Sequence, residues 1–204
     1  VNWPGFWQWF AANAGRLRAV CSADAQSEEI EEAFKRVHDR MGEVDPDLVF
    51  EIGLKDSRFQ FIVSADGNRE KMNAVLECVS AAPPIEGWEI VAFRQAKPDF
   101  SLTAFGVPIG LDDIRILFEA DEDNIDRLAV YFIFRTDEPL SENDMISISC
   151  LVLDHTLGEF DAMTEISSLG VHRLDADEDW FAGSGPVSDL VTEIAERSAA
   201  RTRH

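Results

Sequence analysis

The sequence predicts an α+β protein, with a mainly antiparallel sheet of about six or seven strands and helices packed on one face. Three observations carry that expectation. Short runs rich in β-branched and aromatic residues recur along the chain, each bounded by polar turn residues. Stretches with apolar residues at three- and four-residue spacing lie between and around them. The order strand, strand, helix, strand then occurs twice. With 204 residues, 46% of them hydrophobic, the chain is long enough to bury a sizeable core and is read as one α+β domain spanning 1–204.

The N-terminal helices are expected within 5–41. Pro4 suits a first helical turn, and Trp3, Phe6, Trp7 and Phe10 recur at helical spacing, giving a helix over about 5–18. Residues 27–41 form the cleanest amphipathic pattern, with Ile30, Ala33, Phe34, Val37 and Met41 on one side. Glu31–Lys35 and Glu32–Arg36 make i,i+4 pairs on the other, Ser27 is the candidate N-cap, and Gly42 ends the helix. His38, with no ligand partner in view, reads as a surface residue.

Strands are expected at Leu48–Leu54 and Phe59–Val63, around the turn Lys55-Asp56-Ser57. Asn68 can cap a following helix, whose buried stripe is Met72, Val75, Leu76 and Val79 and which Pro83-Pro84 ends. Trp88–Phe93 is the next strand. The second round has strands at Ile114–Phe118 and Leu128–Phe134 across the acidic turn 121–126. A helix then starts at Ser141, where Ser141 and Asp144 resemble a capping box, and stops near Gly158. Ile146–Val152 also alternates as a strand does, so periodicity alone leaves helix and strand both open there. A strand over about Met163–Ser168 completes the round, and a C-terminal helix over 186–200 buries Val187, Leu190, Val191 and Ile194. Residues 47–96 and 113–173 thus form a ββαβ pseudo-repeat. If it is real, both hairpins lie in one continuous sheet with both following helices on the same face.

Charge narrows the function. The chain carries 39 acids and 18 bases, a net charge of −21, and residues 101–204 alone hold 22 acids against 7 bases. Affinity for nucleic acid comes mainly from lysine and arginine displacing counterions, so no nucleic-acid partner is expected. No apolar run approaches the roughly 18–20 residues of a membrane helix, so no membrane partner is expected either. The cysteines, Cys21, Cys78 and Cys150, form no CxxC pair and are read as small buried hydrophobes in a reducing compartment. The opening Val-Asn-Trp-Pro-Gly lacks a basic then apolar leader, which makes the cytoplasm the expected location.

One segment concentrates reactive side chains. Asp154, His155, Glu159 and Asp161 fall within eight residues, and His155 and Glu159 share a face if one helix runs through both. They are the candidate catalytic pair, and all four are the candidate metal ligands, because carboxylate and imidazole together bind cations or shuttle protons. Gly158 opposes that geometry, since glycine there closes a helix. Trp3, Trp7 and Trp9 are the candidate partner-binding residues, exposed aromatics being frequent interface anchors, although aromatics this dense also cover core edges. Asp175-Ala-Asp177-Glu-Asp179 opens like a calcium loop. Trp180 stands where glycine is required and Pro186 where glutamate is required, so it is no EF-hand. The turn at Asp121-Glu-Asp123 fails similarly at Ile125. Gly183-Ser-Gly185 before a helix reads as a loop, and no phosphate-loop, dinucleotide, zinc-protease or nucleophile-elbow motif is present.

Phe6-Trp7-x-Trp9-Phe10, Ser64-Ala-Asp-Gly-Asn68, Ala82-Pro to Gly87-Trp88, Ala92-Phe-Arg-Gln95 and Leu153-Asp-His-x-Leu-Gly-Glu159 together resemble a family of uncharacterised bacterial proteins. The resemblance covers nearly the whole chain and implies a bacterial cytosolic protein; it implies no activity and no catalytic residue. Four lysines beside 14 arginines fit a GC-rich bacterial genome. The function expected is a non-catalytic cytosolic interaction or regulatory module, with a basic protein as partner and no cofactor. The rival is a small metal- or histidine-dependent hydrolase built on 154–161. Burial of that segment at a helix end favours the first, and an open polar cleft favours the second.

Overall fold

A computed structural model describes residues 2–22, 26–97, 100, 102–104 and 107–201, with side chains described outside 102–109. The protein is α+β. The chain divides into two compact units, Val1–Arg94 and Gln95–His204.

The first unit begins with α1 (Trp3–Val20), whose first turn holds Pro4 and is capped by the Asn2 carboxamide oxygen accepting from the Gly5 N–H at 3.1 Å. Next comes α2 (Ser27–Gly42). Extended Gln26, rather than Ser27, occupies its N-cap and makes no side-chain cap bond. β1 (Val49–Lys55) and β2 (Arg58–Ser64) form an antiparallel hairpin. Its two-residue turn places both Asp56 and Ser57 at positive φ, the primed geometry that matches strand twist. A short turn of 3₁₀ helix capped by Asn68 leads into α3 (Met72–Ser80), and β3 (Trp88–Ala92) then pairs parallel to β2. Val75 and Cys78 are the buried residues of α3, whereas Leu76, expected inside, is 46% exposed. The helices share one face of the sheet. Phe10 meets Phe61 at 4.7 Å and Trp88 at 5.1 Å, Phe34 of α2 meets Phe50, and the Trp7 indole donates to the Cys78 carbonyl of α3 at 2.7 Å.

The second unit opens with a small antiparallel hairpin of β4 (Leu102–Ala104) and β5 (Val107–Ile109). β6 (Ile114–Ala120) and β7 (Leu128–Arg135) are antiparallel. Then α4 (Glu142–Leu157) and α5 (Glu159–Glu165) lead to β8 (Ile166–Leu174), which lies parallel to β7. β9 (Gly185–Pro186) adds to the free edge of β6, and α6 (Asp189–Arg201) follows. The core sits between one face of the sheet, with Ile114, Ile116, Val130, Phe132 and Phe134, and the inner sides of α4 and α6, with Ile148, Val152 and Leu190.

Several expectations need correction. The single, mainly antiparallel sheet is replaced by two mixed sheets of three and four strands, ordered β1-β2-β3 and β8-β7-β6-β9. A strand that returns through a helix comes back parallel, and this happens once in each unit. The two hairpins therefore do not share a sheet; what recurs is the path of the chain, a hairpin followed by a helical crossover to a parallel neighbour of its second strand. Ile146–Val152 is helical. Residues 159–165, expected to run into a strand, form α5 instead, and β8 starts three residues later than expected. Gly185-Pro186 is strand rather than helix start, and Val191 is 45% exposed. Cys78 is buried as expected, but Cys150 lies on the surface of α4. Among the described residues, no helix is long and apolar enough to cross a membrane.

Candidate functional site

The 154–161 segment lies at the joint between α4 and α5. The capping box is formed: the Ser141 hydroxyl accepts from the Asp144 N–H at 3.2 Å, and the Asp144 carboxylate accepts from the Ser141 N–H at 2.9 Å. After sixteen helical residues the chain closes on Gly158, whose φ of 84° suits glycine and strains other residues. The Gly158 N–H donates to the Asp154 carbonyl and its carbonyl accepts from the Ala162 N–H, so one residue ends α4 and starts α5. His155 and Glu159 consequently belong to different helices, and the i,i+4 alignment that would pair them does not form.

Each side chain is placed separately. The His155 ring lies with Nδ1 2.9 Å from the Leu151 carbonyl oxygen and packs against Phe100 at 4.7 Å. Its own carbonyl accepts from the Lys97 N–H at 2.7 Å. Glu159 is fully buried at the first position of α5. Asp161 is exposed one turn from Glu165, and partial desolvation together with that neighbouring charge holds its carboxyl above the usual carboxylate range. Asp154 is half-buried, and its charge adds to the desolvation that raises the Cys150 thiol. Among the described residues, no three histidine, cysteine, aspartate or glutamate side chains converge as a metal ion requires. The four metal candidates and the catalytic pair are thus neighbours in sequence that the joint of two helices separates.

The partner-binding candidates divide. Trp3 and Trp7 are 3% and 0% exposed, so they are core residues and present no surface to a partner. Packing against the sheet claims that side of α1. Trp9 is half-buried on the other flank, where it lines a small groove with Asn13, Arg16, Leu17, Ala33 and Arg36. The acidic loops are internally tied. Asp121 accepts from the N–H groups of Asp123 and Asn124 at 2.9 Å each, and hydrogen bonds from Ser167 and these amides hold its carboxyl below the usual range. Asp175 is 3.4 Å from Arg173, and Glu178 accepts from the Asp175 N–H at 2.7 Å. Arg197 and Arg201 of α6 pair with Glu193 and Glu165, while Arg203 lies outside the described residues.

A second concentration of side chains escaped the sequence reading. On the face of the second sheet opposite its helices, Arg115 of β6 and Arg135 of β7 both lie against the ring of Trp180, their guanidinium carbons 4.9 and 4.5 Å from its centroid. His172 of β8, in register with Ile133, packs against Phe181 at 4.9 Å. Strand alternation does signal it, because Ile114-Arg-Ile and Phe134-Arg place both arginines off the core face. Nothing local announces that a loop 45 residues beyond Arg135 returns to cover them. No family model, no curated protein and no solved structure matches the chain.

Proposed function

We propose that the protein is a non-catalytic cytosolic interaction or regulatory module whose partner is basic. One observation carries the reading: the segment richest in reactive side chains sits at a helix joint, with Glu159 fully buried and His155 packed against Phe100. A general acid or base needs a side chain within hydrogen-bond reach of substrate. A catalytic metal site needs about three converging protein ligands and an open position. Burial of Glu159, and the division of the four groups between two helices, support neither. The imbalance of 22 acids to 7 bases over 101–204 supports a partner of opposite charge.

The test combines two measurements. Isothermal titration of the intact protein with zinc, manganese and calcium is expected to give no stoichiometric micromolar binding, with His155→Ala indistinguishable from wild type. A partner isolated from bacterial cells and purified is expected to bind at least about tenfold more weakly in 1 M than in 0.1 M salt, as the Debye length falls from about 10 to 3 Å. Micromolar metal binding that disappears in His155→Ala would overturn the proposal in favour of a metal-dependent hydrolase. A partner whose affinity ignores salt would overturn its electrostatic half.

A further inference from the structure

We propose that Arg115 and Arg135, roofed by Trp180, form a binding site for a small oxyanion, a phosphate monoester dianion in preference to a carboxylate. The register pairs Arg115 with Ile133, so Arg135 lies one step further along the same face of the sheet. Both arginines are half-buried, and both rest against one indole at 4.9 and 4.5 Å. A guanidinium lying against a ring uses its face, and its in-plane N–H groups stay available to an acceptor. Among the described residues, neither guanidinium makes a hydrogen bond or an ion pair with any carboxylate. Three of the nearby acids are engaged elsewhere, Asp175 with Arg173, Glu178 with the Asp175 N–H, and Asp137 with the Ala176 N–H at 3.2 Å, while Asp177 and Asp179 of the same loop are exposed to solvent.

Two permanent positive charges held beside one ring repel each other, and arginine does not relieve this by losing a proton. An oxyanion bridging the two forks neutralises the repulsion and satisfies the free donors with charge-assisted bonds. A dianion matches two guanidinium groups better than a monoanion does. His172 of β8 lies in the same row as Ile133 and Arg115 and packs against Phe181, the residue after Trp180. The loop bearing Trp180 and Phe181 is pinned from one side by β9 on β6 and supplies an apolar roof that lowers the local dielectric. The site is independent of the basic partner proposed above.

The five tryptophan indole N–H signals in a proton–nitrogen correlation spectrum provide the readout, with Trp180 assigned through Trp180→Phe. Inorganic phosphate, then phenyl phosphate, then acetate are titrated at constant ionic strength. Saturable movement of the Trp180 signal is expected in the order phenyl phosphate and phosphate tighter than acetate. Arg115→Gln and Arg135→Gln each weaken binding about 10- to 100-fold, the loss of a charge-assisted bond. Arg173→Gln, at the strand edge, leaves it unchanged. Should a glutamine variant release the loop, seen as a displaced Trp180 signal without phosphate, Arg115→Lys and Arg135→Lys keep the charge and are expected to bind more weakly than wild type through loss of the planar fork. A Trp180 signal that stays still in wild type through 20 mM phosphate (roughly the millimolar limit of useful affinity) would overturn the proposal. So would an equal response in all arginine variants, the mark of an adventitious ion only.

Discussion

At the scale of single residues, Trp7 shows how much one side chain can hold together. It is fully buried, meets Phe6, Phe10 and Phe61 edge-on, and spends its indole N–H on the Cys78 carbonyl, one of the last carbonyls of α3 that the helix itself leaves unpaired. Cys78 is equally enclosed, and burial pushes its thiol up to about 12. Since the thiolate is the reactive form, Cys78 is chemically silent while the unit is folded. Labelling with a thiol reagent at pH 8 is therefore expected to modify Cys150 first and Cys78 only through unfolding. Trp7→Phe keeps most of the apolar contact but leaves the Cys78 carbonyl unsatisfied, at a cost of about 1–3 kcal/mol. Labelling of Cys78 then accelerates by roughly 5- to 150-fold, as an exchange limited by opening requires. Labelling of Cys78 in the wild type as fast as Cys150 would refute the account of its burial.

At the scale of elements, α4 is specified at both ends. Ser141 and Asp144 satisfy N–H groups at its start, and Gly158 turns the chain at its finish. The hydroxyl and backbone N–H of Ser141 hold the Asp144 carboxyl below the usual range. A carboxyl lowered in the folded state contributes stability that is present above its unfolded value and is lost as pH falls through its folded value. Ser141→Ala removes the cap and is expected to cost about 1 kcal/mol at pH 7. The difference from wild type narrows as acid protonates Asp144, because the hydroxyl then has no carboxylate to serve. Urea denaturation at pH 7 and at pH 3 checks it; a difference that grows in acid would contradict the sign. Such local signals are legible in the sequence: the capping box, the glycine stop, the turn between β1 and β2, and the amphipathic face of α2. What was not legible depends on distant partners. Nothing within Trp88–Ala92 or Ile166–Leu174 says that each strand will lie parallel to its neighbour, since that follows from the helix in between. Leu76 lies outside its expected stripe, while Val75 and Cys78 are covered, the Cys78 carbonyl accepting from the Trp7 indole of α1; which flank of α3 is buried depends on that distant partner and not on apolar spacing alone. At the 154–161 joint, Gly158 was the correct warning: it separates the histidine from the glutamate.

At the scale of the whole molecule, the chain path recurs but each round closes its own sheet, so a pattern of element order fixes a topology without fixing how many sheets it builds. Charge is the other property that belongs to the whole chain. At a net charge of −21 carboxylates outnumber cationic groups about two to one, and several of the described arginines and lysines answer an acid nearby, as Lys71 does Asp45 and Asp47, and Arg94 does Glu51 and Asp66. Arg115 and Arg135, side by side on one sheet face, make no such pair among the described residues. They suffice for one small oxyanion, but a duplex is held by about 6–10 phosphate contacts, and affinity falls with salt in proportion to their number. Two contacts set into an acidic surface leave no margin at physiological salt. The protein is therefore expected not to retard duplex DNA in a gel at about 0.15 M salt, even where phenyl phosphate moves the Trp180 signal. A sub-micromolar shift of DNA under those conditions, lost in Arg115→Gln, would mean that the two arginines belong to an extended basic face, and the small-oxyanion site would then be only one end of it.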